Sequence, residues 1–315
     1  MNAVAGAART IQTQIPARLD RLPWSRFHWR IVIGLGTVWI LDGLEVTIVG
    51  SIAPRLTEDG SGIAMSSADI GTAAAIYVAG ACLGALFFGQ LTDRFGRKKL
   101  FMLTLAVYTV ATVLTAFSMN PMWYYACRFF TGTGIGGEYA AINSAIDELI
   151  PAKYRGRVDI AINGSFWVGA GAGALATIPL LDPTVIDQGI GWRLAFGLGA
   201  VLALGVLLVR RNVPESPRWL FIHGREDEGE QIVRDIEQKV EQESGTDLRD
   251  VSDTITIRQR KTIPLTLIAK TVFTMYPRRT ILCLALFIGQ AFLYNAFFFT
   301  YGDSLTTFLG VGQTG

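Results

Sequence analysis

Seven long runs of apolar residues, nearly free of charge, recur along this chain of 315 residues. A helix needs roughly 20 such residues to cross about 30 Å of hydrocarbon, and within lipid a helix satisfies its own backbone. The runs fall at about 30–53, 69–91, 99–118, 122–145, 158–180, 191–210 and 280–302. The expected fold class is therefore all-α, a polytopic membrane protein. Charged residues make up only 17% of the chain and gather between the runs. A formal charge of +2 without a basic aromatic strip gives no reason to expect a nucleic-acid partner.

Lys and Arg set the expected orientation. The tail before the first run carries Arg9, Arg18, Arg21 and Arg26; the loop after the second carries Arg94, Arg97, Lys98 and Lys99; the loop after the fourth carries Lys153, Arg155 and Arg157. The alternate loops are poor in positive charge, so every second loop and the N-terminus are expected to be cytoplasmic. The tail (1–29) has no short apolar core with a cleavage site, so it does not read as a secretory signal. Pro16 and Pro23 are expected to break any helix there, and Trp24, Phe27 and Trp29 to sit in a headgroup-level aromatic belt. The resulting organisation is a tail (1–29), six spans (30–210), a cytoplasmic linker (211–278), a seventh span (279–303) and an outer end (304–315). Ile232, Val233, Ile236 and Val240 recur at helical spacing among charges in the linker, which predicts one or two amphipathic helices with a solvated face. A loop is expected after Ser244.

Cys82, Cys127 and Cys283 lie far apart inside apolar runs and read as small buried hydrophobes. His28 and His223 lie in polar flanks and join no ligand cluster. No metal or other cofactor is expected, and no nucleophile–base pair suggests an enzyme.

Between the second and third runs stands Gly89-Gln90-Leu91-Thr92-Asp93-Arg94-Phe95-Gly96-Arg97-Lys98-Lys99. A short turn must reverse two helices there; Gly96 permits the backbone conformation, and the basic residues hold the turn at an anionic surface. Asp93 is expected to pair with an arginine or face a helix N-terminus. In the fourth run, Gly132-x-Gly134-x-x-Gly137 fits a dinucleotide fingerprint only formally, since no strand precedes it. Gly132 and Gly136, like Gly80 and Gly84 in the second run, instead make close-packing faces.

The turn between the second and third runs resembles the signature loop of the major facilitator superfamily, G-x-L-x-D-R-x-G-R-[KR]-[KR], at every fixed position. Arg128 followed by Gly132, Gly134, Gly136 and Gly137 resembles that superfamily's fourth helix. Glu148-Leu149-Ile150-Pro151-Ala152-Lys153-Tyr154-Arg155-Gly156 and Pro214-Glu215-Ser216-Pro217-Arg218-Trp219 are similar to the sugar-porter patterns E-x-x-P-x-x-x-R-G and P-E-S-P-R-[WY]. The resemblance implies a secondary transporter cycling by alternating access between two six-helix halves. It implies a cytoplasmic gate in which Arg94, Arg97, Glu148, Arg155, Glu215 and Arg218, with Asp93 of the loop, form an ion-pair latch. Helix capping and membrane anchoring is the other reading of these residues. A helix count ending just past the seventh is expected of a truncated chain. Implied partners are a small-molecule solute, protons and the lipid bilayer, and a monomer in the plasma membrane, or the inner membrane of a Gram-negative bacterium.

Asp42 and Glu45 lie inside the first run and Arg128 inside the fourth; an intramembrane charge is by default a functional hypothesis. At about 1.5 Å per residue, Asp42, Glu45 and Arg128 fall at similar depths, roughly 18–22 Å from the inner surface. Three residues apart, Asp42 and Glu45 share a helix face. An acid held against an arginine stays ionised, and parting them in a low dielectric favours proton uptake. Gly43-Leu44-Glu45 occupies the place of Gly-Tyr-Asp in the sugar porters' first helix, whose acid pairs with the fourth-helix arginine in proton-coupled members. Glu45 is the first candidate for proton coupling and Asp42 the second, against the alternative of a static ion pair.

For substrate, the resemblance points to Asn163, eight residues after Arg155, and to Gln290 and Asn295 of the seventh run, with Trp167 available to stack. Gly289 replaces the family's first glutamine, and Phe298 and Phe299 stand where its tyrosine pair would be. A sugar or a small organic acid is equally admissible, and polar interhelical packing is the alternative role for these residues. A different class of function, a transport-incompetent fragment or a membrane-embedded solute sensor of the same fold, remains open.

Overall fold

The computed structural model describes residues 10–210, 214–259 and 264–309. In chain order its elements are β1 (Thr10–Thr13), α1 (Ile15–Asp20), α2 (Arg26–Leu56), α3 (Ser67–Phe95), α4 (Arg97–Ala116), α5 (Pro121–Leu149), α6 (Ala152–Leu181) and α7 (Gln188–Arg210). They continue with α8 (Pro217–Ile222), α9 (Glu226–Ser244), β2 (Ile255–Arg258), α10 (Leu265–Met275) and α11 (Pro277–Leu309). The helices α2–α7 and α11 carry the seven apolar runs. Most outrun them, because polar caps prolong a helix beyond its apolar stretch. Ser66 accepts from the Asp69 amide at the start of α3, and the Asn120 side chain accepts from the Trp123 amide at the start of α5.

Five of these helices, α2, α3, α4, α6 and α7, are long and apolar enough to cross a membrane; α10 and α11 qualify together as a pair bent by 105°. The sequence predicted seven spans, and the helix that falls short among α2–α7 is α5. Its glycines and tyrosines, with Arg128 and Glu138 in mid-helix, lower its apolarity. Protein, not lipid, surrounds these groups: α5 packs along α3 and α4.

Small residues set the helix pairing. A Cβ on Gly80, Gly84, Gly132 or Gly136 would stand 2.0–2.3 Å from a backbone oxygen of the facing helix, so α3 and α5 touch backbone to backbone. Gly43 and Gly169 do the same for α2 and α6, a contact the sequence reading missed. In lipid, where apolar burial gives little drive, such close packing supplies much of the association.

Two apolar clusters bracket the bundle. One joins Leu35, Val38 and Leu41 of α2 to Leu105, Ile135, Ile142 and the apolar side of α9 at the basic end. The other joins Leu44, Ile48 and Ile52 to Tyr124, Trp192 and Phe196 at the opposite end. The Trp192 indole there donates to the Ser61 carbonyl at 3.0 Å.

The tail and linker depart from expectation. Pro16 does not prevent a helix but sits in the first turn of α1, where its missing N–H is no loss. Of the proposed aromatic belt only Trp29 faces outward; Phe27 is buried, and Trp24 stacks on His28, 5.1 Å between centroids. His28 is itself buried, not in a polar flank. Cys127 is buried as expected, whereas Cys82 and Cys283 are exposed on helix surfaces; all three are free. Two helices, the short α8 and the amphipathic α9, lie in the linker, but the face of α9 is not simply solvated. Val233, Ile236 and Val240 pack on Ile15, Leu19 and Phe27, and Arg18 reaches Glu230 and Glu237 at 2.5 Å each. The stretch after Ser244 has no regular element until β2, which pairs antiparallel with β1 in the register Thr10↔Arg258 to Thr13↔Ile255.

Candidate functional site

Between the two apolar clusters lies a polar middle. Asp42 is 0%, Glu45 3%, Arg128 2% and Glu138 1% exposed. Arg128 Nη1 donates to Glu45 Oε1 at 3.0 Å, and Nη2 to the Thr115 and Thr131 hydroxyls at 3.3 Å each. The guanidinium lies over the Phe196 ring at 4.9 Å and near that of Tyr124 at 5.7 Å. Thus α2 supplies the acid, α5 the base, α4 a hydroxyl and α7 an aromatic wall. The pair borders a narrow cavity of about 20 Å³, lined also by Val46, Val49, Tyr77 and Ala73. That is room for about one water. Glu45 and Arg128 therefore face each other, as their matched depths predict.

Asp42 lies one turn toward the basic end of α2. It is within electrostatic reach of Tyr77, Tyr108 and Tyr139. Glu138, on α5, reaches Tyr108 and Tyr139 as well. The sequence reading did not single out Glu138. The rule that singled out Arg128, a charge in mid-span, applied to it equally.

An aromatic cluster adjoins this centre. Trp39 of α2 stacks on Tyr139 of α5 (4.8 Å, 6°), and Phe166 of α6 meets Trp39 at 6.3 Å and Tyr294 of α11 at 6.1 Å. None of these four was singled out beforehand. Separate aromatics in different runs give no pattern until the helices are paired.

Of the four candidate substrate residues, the three whose side chains are described do not converge. The Asn163 amide donates to the carbonyl and carboxylate of Asp159, at 2.9 and 3.0 Å. It lines a polar groove of about 430 Å³ with Asn143, Asp147 and Arg155. Trp167 is 61% exposed and meets Phe166 of the aromatic cluster at 5.6 Å. Gln290 is exposed on α11. Asn295 lies on the same helix, and its side chain falls outside the described residues. A larger opening of about 870 Å³ separates α11 from α2 and α3, lined by Ala53, Ile70, Ala74, Val78, Ile288 and Phe292 among others.

The gate residues form a smaller assembly than expected. Arg97 pairs with Glu148 at 2.5 Å, and the Ser216 hydroxyl also donates to Glu148. Glu215 makes no ion pair with an arginine among the described residues; it accepts from the backbone amides of Arg97 (2.9 Å) and Lys98 (3.2 Å) at the N-terminus of α4. The positive end of the helix dipole takes the place of a guanidinium. Gly96, with φ of +100°, makes room: a Cβ there would lie 2.5 Å from the Glu215 carboxylate. Asp93 points its carboxylate outward, while its carbonyl accepts from the Trp219 indole at 2.8 Å. Arg155 pairs instead with Asp20 of the tail, at 2.8 Å, an acid the sequence reading passed over. Arg94 lies over the Phe95 ring at 5.2 Å. Arg218 is exposed and makes no ion pair among the described residues.

Comparison with known proteins gives a consistent set of relatives. The family described as sugar (and other) transporter matches residues 27–314. The niacin transporter NiaP of Acinetobacter baylyi is 37% identical over 222 residues, 70% of this chain and 48% of its own. The putative metabolite transport protein YyaJ of Bacillus subtilis is 34% identical over 229 residues (72% and 49%). The 4-hydroxybenzoate transporter PcaK of Pseudomonas aeruginosa is 29% identical over 224 residues (70% and 47%). These relatives are transporters, not enzymes, and the chain spans about half the length of those it matches. In fold, it resembles the xylose transporter XylE from E. coli in a partially occluded inward-open conformation, with a TM-score of 0.59 at 20% identity over 69% of this chain and 58% of that one. The proton:xylose symporter XylE bound to 6-bromo-6-deoxy-D-glucose gives 0.60 at 21%, over 69% and 52%.

Proposed function

Because this chain belongs to the sugar (and other) transporter family of multi-pass membrane proteins, we propose that it serves proton-coupled symport of a small polar metabolite by alternating access. The observation that carries this reading is the buried Glu45–Arg128 pair beside a cavity the size of one water. A static pair in that position gains little over apolar packing. A pair that water can reach has a use: when Glu45 parts from Arg128, its carboxylate is left in a low dielectric and takes up a proton. Asp42 and Glu138 leave the interior with more carboxyls than guanidinium groups, a balance that a bound proton relieves.

The metabolite is a sugar or an organic acid, and the stacked Trp39–Tyr139 pair with Phe166 and Tyr294 favours an acid with a planar ring. The relatives that transport niacin and 4-hydroxybenzoate support that choice. Arg97, Glu148 and Glu215, with Asp93, Arg94, Arg155 and Arg218 around them, act as the latch on the cytoplasmic side. The protein works as a monomer in the plasma membrane, or a Gram-negative inner membrane, with its N-terminus in the cytoplasm.

Proteoliposomes containing the protein expressed from its whole gene test the coupling. Glu45→Gln abolishes accumulation of labelled solute against a gradient and spares counterflow. Accumulation equal to that of the unchanged protein would overturn the role of Glu45.

A further inference from the structure

The helix α10 packs chiefly on α11, which it meets at Pro277 with a bend of 105°. The Thr280 hydroxyl fixes this elbow by donating to the carbonyls of Val272 (2.8 Å) and Tyr276 (2.9 Å). With α11 crossing a membrane, α10 must run nearly parallel to its surface.

The composition of α10 suits that position. Thr266, Lys270 and Thr274 recur every fourth residue on one face, and Ile268, Val272 and Met275 take the other. The Thr271 and Thr274 hydroxyls donate to carbonyls of their own helix, so they place no unmet donor in a boundary region. Yet Ile268 is 40% and Met275 66% exposed to the surroundings of the protein. An apolar face of this kind calls for a cover.

Charge identifies the cover. From Thr254 to Gly302 the chain holds six basic residues, Arg258, Arg260, Lys261, Lys270, Arg278 and Arg279, and not one acid. Elsewhere in the linker acids predominate, as in Glu226–Ser244, where eight acids stand against Arg234 and Lys239. Lys270, Arg278 and Arg279 are exposed around the elbow, and Tyr276 stands beside them, 5.9 Å from Arg279. Tyrosine and cations at one level are the makings of a headgroup contact.

We infer that α10 is an interfacial helix, seated in the membrane surface at the basic end of the bundle. Its apolar face lies among acyl chains, while Lys270, Arg278 and Arg279 bind anionic phospholipid headgroups. This depends on α11 crossing the membrane and not on proton coupling, so the two ideas can fail separately.

Spin labels test it on the intact protein, with Cys82, Cys127 and Cys283 replaced by alanine. Labels at Ile268 or Val272, and at Lys270 or Thr274, are compared in nanodiscs of phosphatidylcholine with and without phosphatidylglycerol. With phosphatidylglycerol, Ile268 and Val272 labels collide with dissolved oxygen and are hidden from an aqueous nickel chelate; Lys270 and Thr274 labels do the reverse. With the label at Val272, each of Arg278→Gln and Arg279→Gln raises the phosphatidylglycerol needed for half-insertion by about fivefold. Three results would overturn the inference: nickel access at Val272 in both lipids, insertion indifferent to phosphatidylglycerol, or shielding of Val272 from both reagents, which would mean that protein covers the face.

Discussion

At the scale of single residues, the bundle depends as much on missing side chains as on present ones. Gly169 and Gly171 lie two apart on α6, yet a Cβ at Gly169 would stand 1.8 Å from the Ile40 carbonyl, and one at Gly171 would meet nothing within 4 Å. Gly169→Ala must therefore push α6 off α2, at a cost of about 1–3 kcal/mol. Gly171→Ala is neutral, or gains up to about 1 kcal/mol from helix propensity. Thermal unfolding in detergent should separate the two by several degrees, and equal midpoints would show that the α2–α6 contact is looser than described. The charged residues behave differently, since their value lies in partners. Depth placed Asp42, Glu45 and Arg128 at one level in advance, and resemblance to the sugar porters' first helix put Glu45 ahead of Asp42. The partner of Arg155, Asp20, was missed because it comes from a tail whose fold no periodicity announced.

At the scale of elements, the joint between α4 and α8 is the one most open to a single change. Glu215 accepts from two amides at the start of α4, and Ser216 both caps α8 and bonds Glu148. Glu215→Ala removes the anion from the helix N-terminus, a loss of about 1–2 kcal/mol. Faster tryptic cleavage at Arg218 and Arg225 is expected, with no change in cleavage at Arg234; unchanged rates would mean that Trp219 alone holds the joint. The long helices were legible because about 20 apolar residues in a row admit few other structures. The short β1–β2 ribbon and α10 were not. Four residues carry too little pattern to be read as a strand, and pairing across more than 240 positions leaves no local trace. α5 was legible as a helix but not as the one among α2–α7 that falls short of a span, since the runs were judged by length. The aromatic cluster of Trp39, Tyr139, Phe166 and Tyr294 needed the helix pairing before it could be seen at all.

At the scale of the whole molecule, tail and linker form a single layer beneath the helices. Arg18 and Arg21 grip Glu237, at 2.5 and 2.6 Å. Burial pushes the Glu237 carboxyl upward, but the hydrogen bonds and charges of the two arginines prevail and hold it below the ordinary glutamate range. A depressed acid contributes stability above its unfolded value of about 4.3 and loses it as pH falls through the folded one. Electron–electron resonance between labels at Gln12 and Gln238 should give a constant distance from neutral pH to about 5, lengthening only below about 4. Lengthening nearer neutrality would point to another group. The far end of this layer is also fastened, for Gln259 donates to the Phe221 carbonyl (3.0 Å) and to Glu226 (2.8 Å). Everything up to Gln259 is thereby tied to the first six long helices, and only Arg260 to Pro264 lead from there to α10. Five residues reach about 17 Å at full stretch. However many residues the linker counts, α10 begins within that reach of Gln259. The seventh long helix cannot drift away from the bundle to which it is tethered.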